Sequence, residues 1–351
     1  MRKRLLGSGL AAVAGVMGLA GCGGNQAATS TPPANPSAAL AAGVQSDGQQ
    51  QGIQLAFRLA STPAVLTSGG SHLTTAQARD ILATQLDFDV HAPGSQALDH
   101  AQGNGGQFQV SLVKSGTDLA DIRFVNRVMY ARVDFSRFFA AYGLPPRSLA
   151  SVRHGLDQAS ALIPGLSALG NGQWISLDLM QVLRQSGVTP STPTQSQLSQ
   201  LQAGLRQALA GTYQVAYAGT TSGGQRYAVS VNVRRLVTQL GAFYASLPGM
   251  ADLPVLRSEF AALAQRVPAT LTARLDAVVS GGRLSQVTLP LNQFDLHHQM
   301  PGPVSIVVGI SSAGPIAAPA GATAINPAAI SQMFGQFFKG MMGSSSAPSS
   351  S

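Results

Sequence analysis

The chain has 351 residues, 45% of them hydrophobic and 10% charged, with a formal net charge of +8 at pH 7. That apolar content is enough for a sizeable core and excludes a chain disordered throughout. The cations are scattered among apolar neighbours without a basic run, which argues against a nucleic-acid partner, and the single cysteine excludes an internal disulfide or a thiolate zinc site.

At the start, Arg2, Lys3 and Arg4 precede an apolar run from Leu5 to Leu19, which leads into Ala20, Gly21 and Cys22. This order resembles a bacterial lipoprotein signal peptide whose lipobox is Leu19-Ala20-Gly21-Cys22. The resemblance implies a signal peptide over residues 1–21, lipidation of Cys22, and a mature chain moored by lipid to the extracytoplasmic face of the cell membrane. The run of roughly 15 apolar residues falls short of the ~20 that a spanning helix needs, so lipid rather than the leader supplies retention. One acyl chain binds a membrane only marginally; the diacylated, palmitate-type cysteine implied by the resemblance meets that requirement.

Residues 22–51 form the lipidated cysteine and a flexible tether, because Gly, Ala, Ser, Thr, Pro, Asn and Gln offer too little apolar surface to offset ordering entropy. Beyond it, Ile53, Leu55, Phe57 and Leu59 alternate as in a half-buried strand. Thr74 and Gln77 predict a capping box for a short helix. Alternation at Leu86, Phe88 and Val90, then over Phe108 to Val113, Leu119 to Val125 and Val128 to Val133, predicts an antiparallel meander. Strand-to-helix steps follow at Asp134, Asp178 and Asn232, whose side chains are expected to cap the helices that start there rather than to catalyse. A helix with Leu198, Leu201, Leu205 and Leu209 on its stripe runs from Thr192 and Pro193 to Gly211. Strands then extend over Tyr213 to Tyr217, Arg226 to Val233, Thr270 to Val279, Leu284 to Leu291 and Val304 to Ile310, with a hairpin turn at Gly281-Gly282. Helices interrupt them near Arg235 to Ser246 and Pro254 to Arg266.

The lipobox, the tether, the step at Tyr130 to Asp134, Gly172-Gln173-Trp174, the long middle helix, the Gly281-Gly282 hairpin and the closing Gly314-Pro315-Ile316 with Pro319 resemble one superfamily. It comprises the lipoprotein-localisation factors and the related lipid-binding lipoproteins of high-GC Gram-positive bacteria. The resemblance covers about residues 50 to 325. It implies an α+β fold, a strongly curved antiparallel half-barrel whose concave face is covered by helices around an apolar cavity. Residues 52–325 form that body, either as one enlarged half-barrel or as two similar halves, about 52–190 and 191–325. Residues 326–342 follow as an amphipathic helix bearing Ile330, Met333, Phe334, Phe337, Phe338 and Met341, and 343–351 as a disordered tail.

No nucleophile elbow, Walker loop, dinucleotide fingerprint or H-E-x-x-H motif occurs, so no catalytic residue, cofactor or metal is expected. Asp87, Asp89 and His91 share one strand face and are expected to be its solvated side rather than metal ligands; Asp295, His297 and His298 form a second polar cluster, in an expected loop. The function expected is that of an extracytoplasmic lipoprotein, not an enzyme, carrying a lipid or other apolar ligand. The alternative is an envelope scaffold, sensor or assembly factor that works through surface contacts, with partners the sequence leaves open.

Overall fold

The structure is a computed structural model that describes residues 32–68, 73–100, 106–185, 195–246, 254–295 and 300–329. Cys22 and its lipobox, Thr192 and Pro193, His297 and His298, and the apolar stripe from Ile330 onward lie outside those residues. The strands are β1 Gly52–Ala60, β2 Thr84–His91, β3 Gln107–Lys114, β4 Thr117–Val125, β5 Val128–Val133, β6 Ile175–Asp178, β7 Tyr213–Thr221, β8 Gly224–Asn232, β9 Thr272–Ser280, β10 Arg283–Pro290, β11 Ser305–Ser312 and β12 Thr323–Ala324. The helices are α1 Pro36–Gly48, α2 Pro63–Ser68, α3 Thr75–Leu82, α4 Phe135–Ala141, α5 Pro146–Ser160, α6 Leu166–Gly170, α7 Leu179–Gln185, α8 Gln195–Leu209, α9 Val233–Ser246 and α10 Pro254–Arg266. The class is α+β with a predominantly antiparallel sheet, as expected; β12 runs parallel to β6.

Local chemistry accounts for the element boundaries. The reciprocal box at α3 is present: Gln77 N donates to Thr74 Oγ1 at 3.2 Å and Thr74 N to Gln77 Oε1 at 2.9 Å. Asp134, Asp178 and Asn232 each accept, through Oδ1, the amide three residues on, at 3.0, 3.0 and 2.8 Å. These are caps, as the strand-to-helix steps predict. Gly281 and Gly282 take φ of 57° and 78°, the left-handed backbone of a tight hairpin between β9 and β10.

The chain forms two compact units, each drawn from separated segments. The first comprises Met1–Leu82, Ser95–Gln102 and Pro193–Ala313, with strands in the order β1-β11-β10-β9-β8-β7. Alternation, interrupted in β10 by a bulge between Leu284 and Gln286, buries one face of it: Tyr227, Val229 and Val231 from β8, Ala273, Leu275, Ala277 and Val279 from β9, and Leu284, Val287 and Leu289 from β10. Leu209 of α8 and Leu236 of α9 pack into the same cluster.

Helix α1 also packs there, which corrects the expectation that residues up to 51 are a flexible tether. Asn35 Oδ1 accepts from Ala38 N at 3.1 Å to cap it, and Pro36 opens its first turn. Leu40 and Val44, one turn apart, are 1% and 6% exposed within the core of the first unit. Gly43 lies so close to the sheet that a Cβ there would stand 3.1 Å from Val279 Cγ2. Buried Asp47 accepts from Arg283 Nε at 2.8 Å and from Leu284 N at 3.1 Å. Burial pushes its carboxyl above the ordinary 3.8, against the opposing pull of the Arg283 guanidinium. Composition missed this helix because Ala and Gly look incapable of forming a core on their own. Small residues, however, let a helix approach a sheet that supplies the apolar surface.

The second unit comprises Ala83–Gly94, Gly103–Thr192 and Gly314–Ser351, with strands in the order β12-β6-β5-β4-β3-β2. Helices α4 to α7 belong to it. Beyond β11, the chain enters this unit at Gly314 and ends its described part just past β12, where Thr323 N donates to Trp174 O at 2.8 Å and Ile325 N to Ser176 O at 2.8 Å.

Candidate functional site

Successive side chains of a strand point to opposite faces, so the register of β2 to β6 sorts the second unit into two faces. On one, cross-strand rows run Asp87, Ser111, Asp121, Arg132 and Asp89, Gln109, Arg123, Tyr130, Ser176, with His91 opposite Gln107 beside them. On the other, the rows are Leu86, Leu112, Ala120, Val133; then Phe88, Val110, Ile122, Ala131, Ile175; then Val90, Phe108, Phe124, Met129, Leu177. All fourteen of these side chains are apolar, and the face ends at the polar pair Thr84 and Lys114.

The polar face is the covered one. Asp121 is 0% exposed, and Ser111 and His91 are 5% exposed. The expectation that Asp87, Asp89 and His91 mark a solvated side is therefore corrected. What covers this face is the segment after Gly314: Ile316, itself buried, donates its N–H to Gln107 Oε1 at 2.9 Å, and Arg123 Nη1 donates to Ala317 O at 3.2 Å. Arg123 also holds Asp121 Oδ2, from Nη2 at 2.8 Å and from Nε at 3.1 Å, while Gln109 donates to the same oxygen at 3.3 Å. Two guanidinium groups lie over the Trp174 ring, that of Arg123 at 4.8 Å and that of Arg132 at 5.0 Å from its centroid. An open cleft of about 570 Å³ lies on this side, lined by Val128, Tyr130, Ser176, Asp178, Gln181 and residues 324–327. Its aspartate is the cap of α7.

The apolar face is the less buried of the two. Its fourteen side chains include no fully buried residue, and Leu86 and Ile122 are 42% and 43% exposed. Five strands spaced ~4.8 Å apart make this floor about 19 Å across. Phe88, Phe108 and Phe124 form an oblique aromatic stripe on it, with near-parallel rings 6.4 and 5.2 Å apart between centroids. At the Thr84 end, Tyr142 hydrogen-bonds Thr84 Oγ1 at 2.8 Å and its ring packs at a tilt against Phe138, 4.9 Å between centroids, which sets the end of α4 beside the floor. The first unit's apolar face differs, for there Leu40 and Val44 of α1 fill the space above the strands.

The three apolar rows can exclude water from hydrocarbon and carry no nucleophile or proton-transfer group. Among the described residues no group of three His, Cys, Asp or Glu side chains is placed to hold a metal, and no helix is long and apolar enough to cross a membrane. Of the second polar cluster only Asp295 is described; its Oδ2 accepts from Met300 N. Sequence reasoning recognised the alternation of β2 to β5 but assigned the covered side to the wrong face. The available signal was Ile316 with its flanking prolines, an apolar segment long enough to lie across a sheet.

No protein-family model and no curated protein matches the sequence. Among solved structures the chain is similar to the lipoprotein LppX of Mycobacterium tuberculosis, at 10% identity over 80% of this chain and 97% of that one, with a TM-score of 0.29.

Proposed function

We propose that the chain is a membrane-anchored envelope lipoprotein that shelters the hydrocarbon part of a lipid on the apolar floor of its second unit. The observation that carries this reading is the burial pattern of that sheet: a polar face held under the chain's own segment, and three apolar rows on the other face with Leu86 and Ile122 more than two-fifths exposed. A contiguous apolar patch on a folded surface marks a site of contact with another apolar body. Holding the ligand requires only burial. A methylene fully removed from water contributes about 0.8 kcal/mol and one covered from a single side about half that, so a long chain is retained with loose specificity.

The remaining elements support the same reading. The lipobox at Cys22 supports lipidation and an extracytoplasmic, membrane-bound location. The three rows of the floor carry no charged side chain, which supports a carrier or sheltering protein rather than an enzyme. The test is native mass spectrometry of protein purified without detergent. Co-purifying lipid that is lost on Ile122→Lys upholds the proposal. A ligand-free protein that also leaves apolar dyes and fatty acids unbound refutes it, and leaves the surface-contact scaffold in its place.

A further inference from the structure

We infer that α1 shortens the mooring of the chain so far that its working partner is the surface of the membrane that anchors it. This rests on the acylation of Cys22 proposed above. Composition alone frees the chain from Cys22 to Gln51, a separation of 29 residues; at ~3.6 Å per residue that is a reach of about 104 Å. In the structure the chain is fixed to the first unit from the start of α1 onward. Leu40 and Val44 are in its core, Gly43 lies against Val279, and Asp47 is held by Arg283 and by the backbone of β10. Only the 13 residues from Cys22 to Asn35 then separate the lipid from the folded body, and their greatest extension is about 47 Å whatever conformation they adopt.

That limit is close to the thickness of one bilayer with its headgroups, ~40–45 Å. The folded body therefore stays tethered within about 47 Å of its leaflet, where the anchoring bilayer is always at high effective concentration. The step such a protein serves is the withdrawal of a lipid from that leaflet or its return there. Crossing a wider gap requires an acceptor that comes to the protein.

The experiment uses the full lipidated chain in phosphatidylcholine vesicles, digested with thermolysin, which cleaves beside apolar residues. A donor dye at Thr221→Cys and an acceptor lipid in the bilayer report distance. The expected result is that the bond at Val44 resists cleavage at least about a hundredfold longer than in Leu40→Asp, because α1 opens only with the unit it packs into. A second variant keeps α1 and inserts sixteen Gly/Ser residues, roughly the difference between the two tethers, before Asn35; energy transfer falls while protection stays. Cleavage within residues 36–48 of the wild type at the rate of Leu40→Asp overturns the inference alone, and so does energy transfer unmoved by the insertion. An amino-terminal peptide whose mass shows Cys22 without acyl groups overturns both the inference and the mooring it rests on.

Discussion

Ile122→Lys separates a ligand floor from an ordinary core face. Complete burial of an isoleucine side chain contributes about 1.5–3 kcal/mol. Ile122 is 43% exposed, so little more than half of that is present in the folded chain. A lysine stem retains part of the contact while its ammonium reaches water, which leaves an expected loss of stability of about 0.5–1 kcal/mol. With hydrocarbon lying on the floor the situation reverses, because the ammonium sits in the middle row between Val110 and Ala131 and must be desolvated without a partner. A penalty of about 2 kcal/mol or more weakens binding at least about thirtyfold. Urea unfolding gives the first quantity, and displacement of Nile red by palmitate gives the second. The reasoning fails if the variant loses more than about 3 kcal/mol of stability, the signature of a packed core, or if it binds palmitate as the wild type does.

Leu40→Ala is expected to cost about 2–5 kcal/mol in urea unfolding, since Leu40 is 1% exposed, whereas a tether residue would cost nothing. Arg123→Ala leaves the 0% exposed Asp121 without its cation and should cost about 3–5 kcal/mol. Arg132→Ala, whose carboxylate partner is 3.9 Å away and half exposed, should cost less than about 1 kcal/mol by the same assay. Asp134→Ala removes the cap of α4 and should cost about 1 kcal/mol, read as a lowered thermal midpoint. Asp47 has its folded-state pKa above the unfolded value, so the folded chain binds that proton more tightly. The stability of the wild type relative to Asp47→Asn therefore rises as pH falls from neutrality through the raised value, and levels off below 3.8. Parallel urea titrations at several pH values check it, and a difference that shrinks on acidification contradicts the assignment.

The elements whose cause lies within a few residues are legible in the sequence. Thr74 with Gln77, Asp134, Asp178 and Asn232 bond amides three positions away, and the alternation of β8 and β9 records one buried face. Helices without such signals are not. α5 buries no residue and carries only Pro146 as a start signal, and α1 has just Leu40 and Val44 to announce it.

Sequence by itself determined the antiparallel α+β class, the helix caps and the two-sided patterning of β2 to β5, because each follows from neighbours one to four residues apart. Only tertiary structure decided which face of that sheet is covered and where the tether ends. Period-two alternation separates two faces but does not say which one meets water. Here that depends on Ile316, 209 residues from the Gln107 side chain that receives its N–H, and on Arg283, 236 residues from the Asp47 it holds. Contacts at such separation are set by how the chain folds back on itself, and no local propensity encodes them.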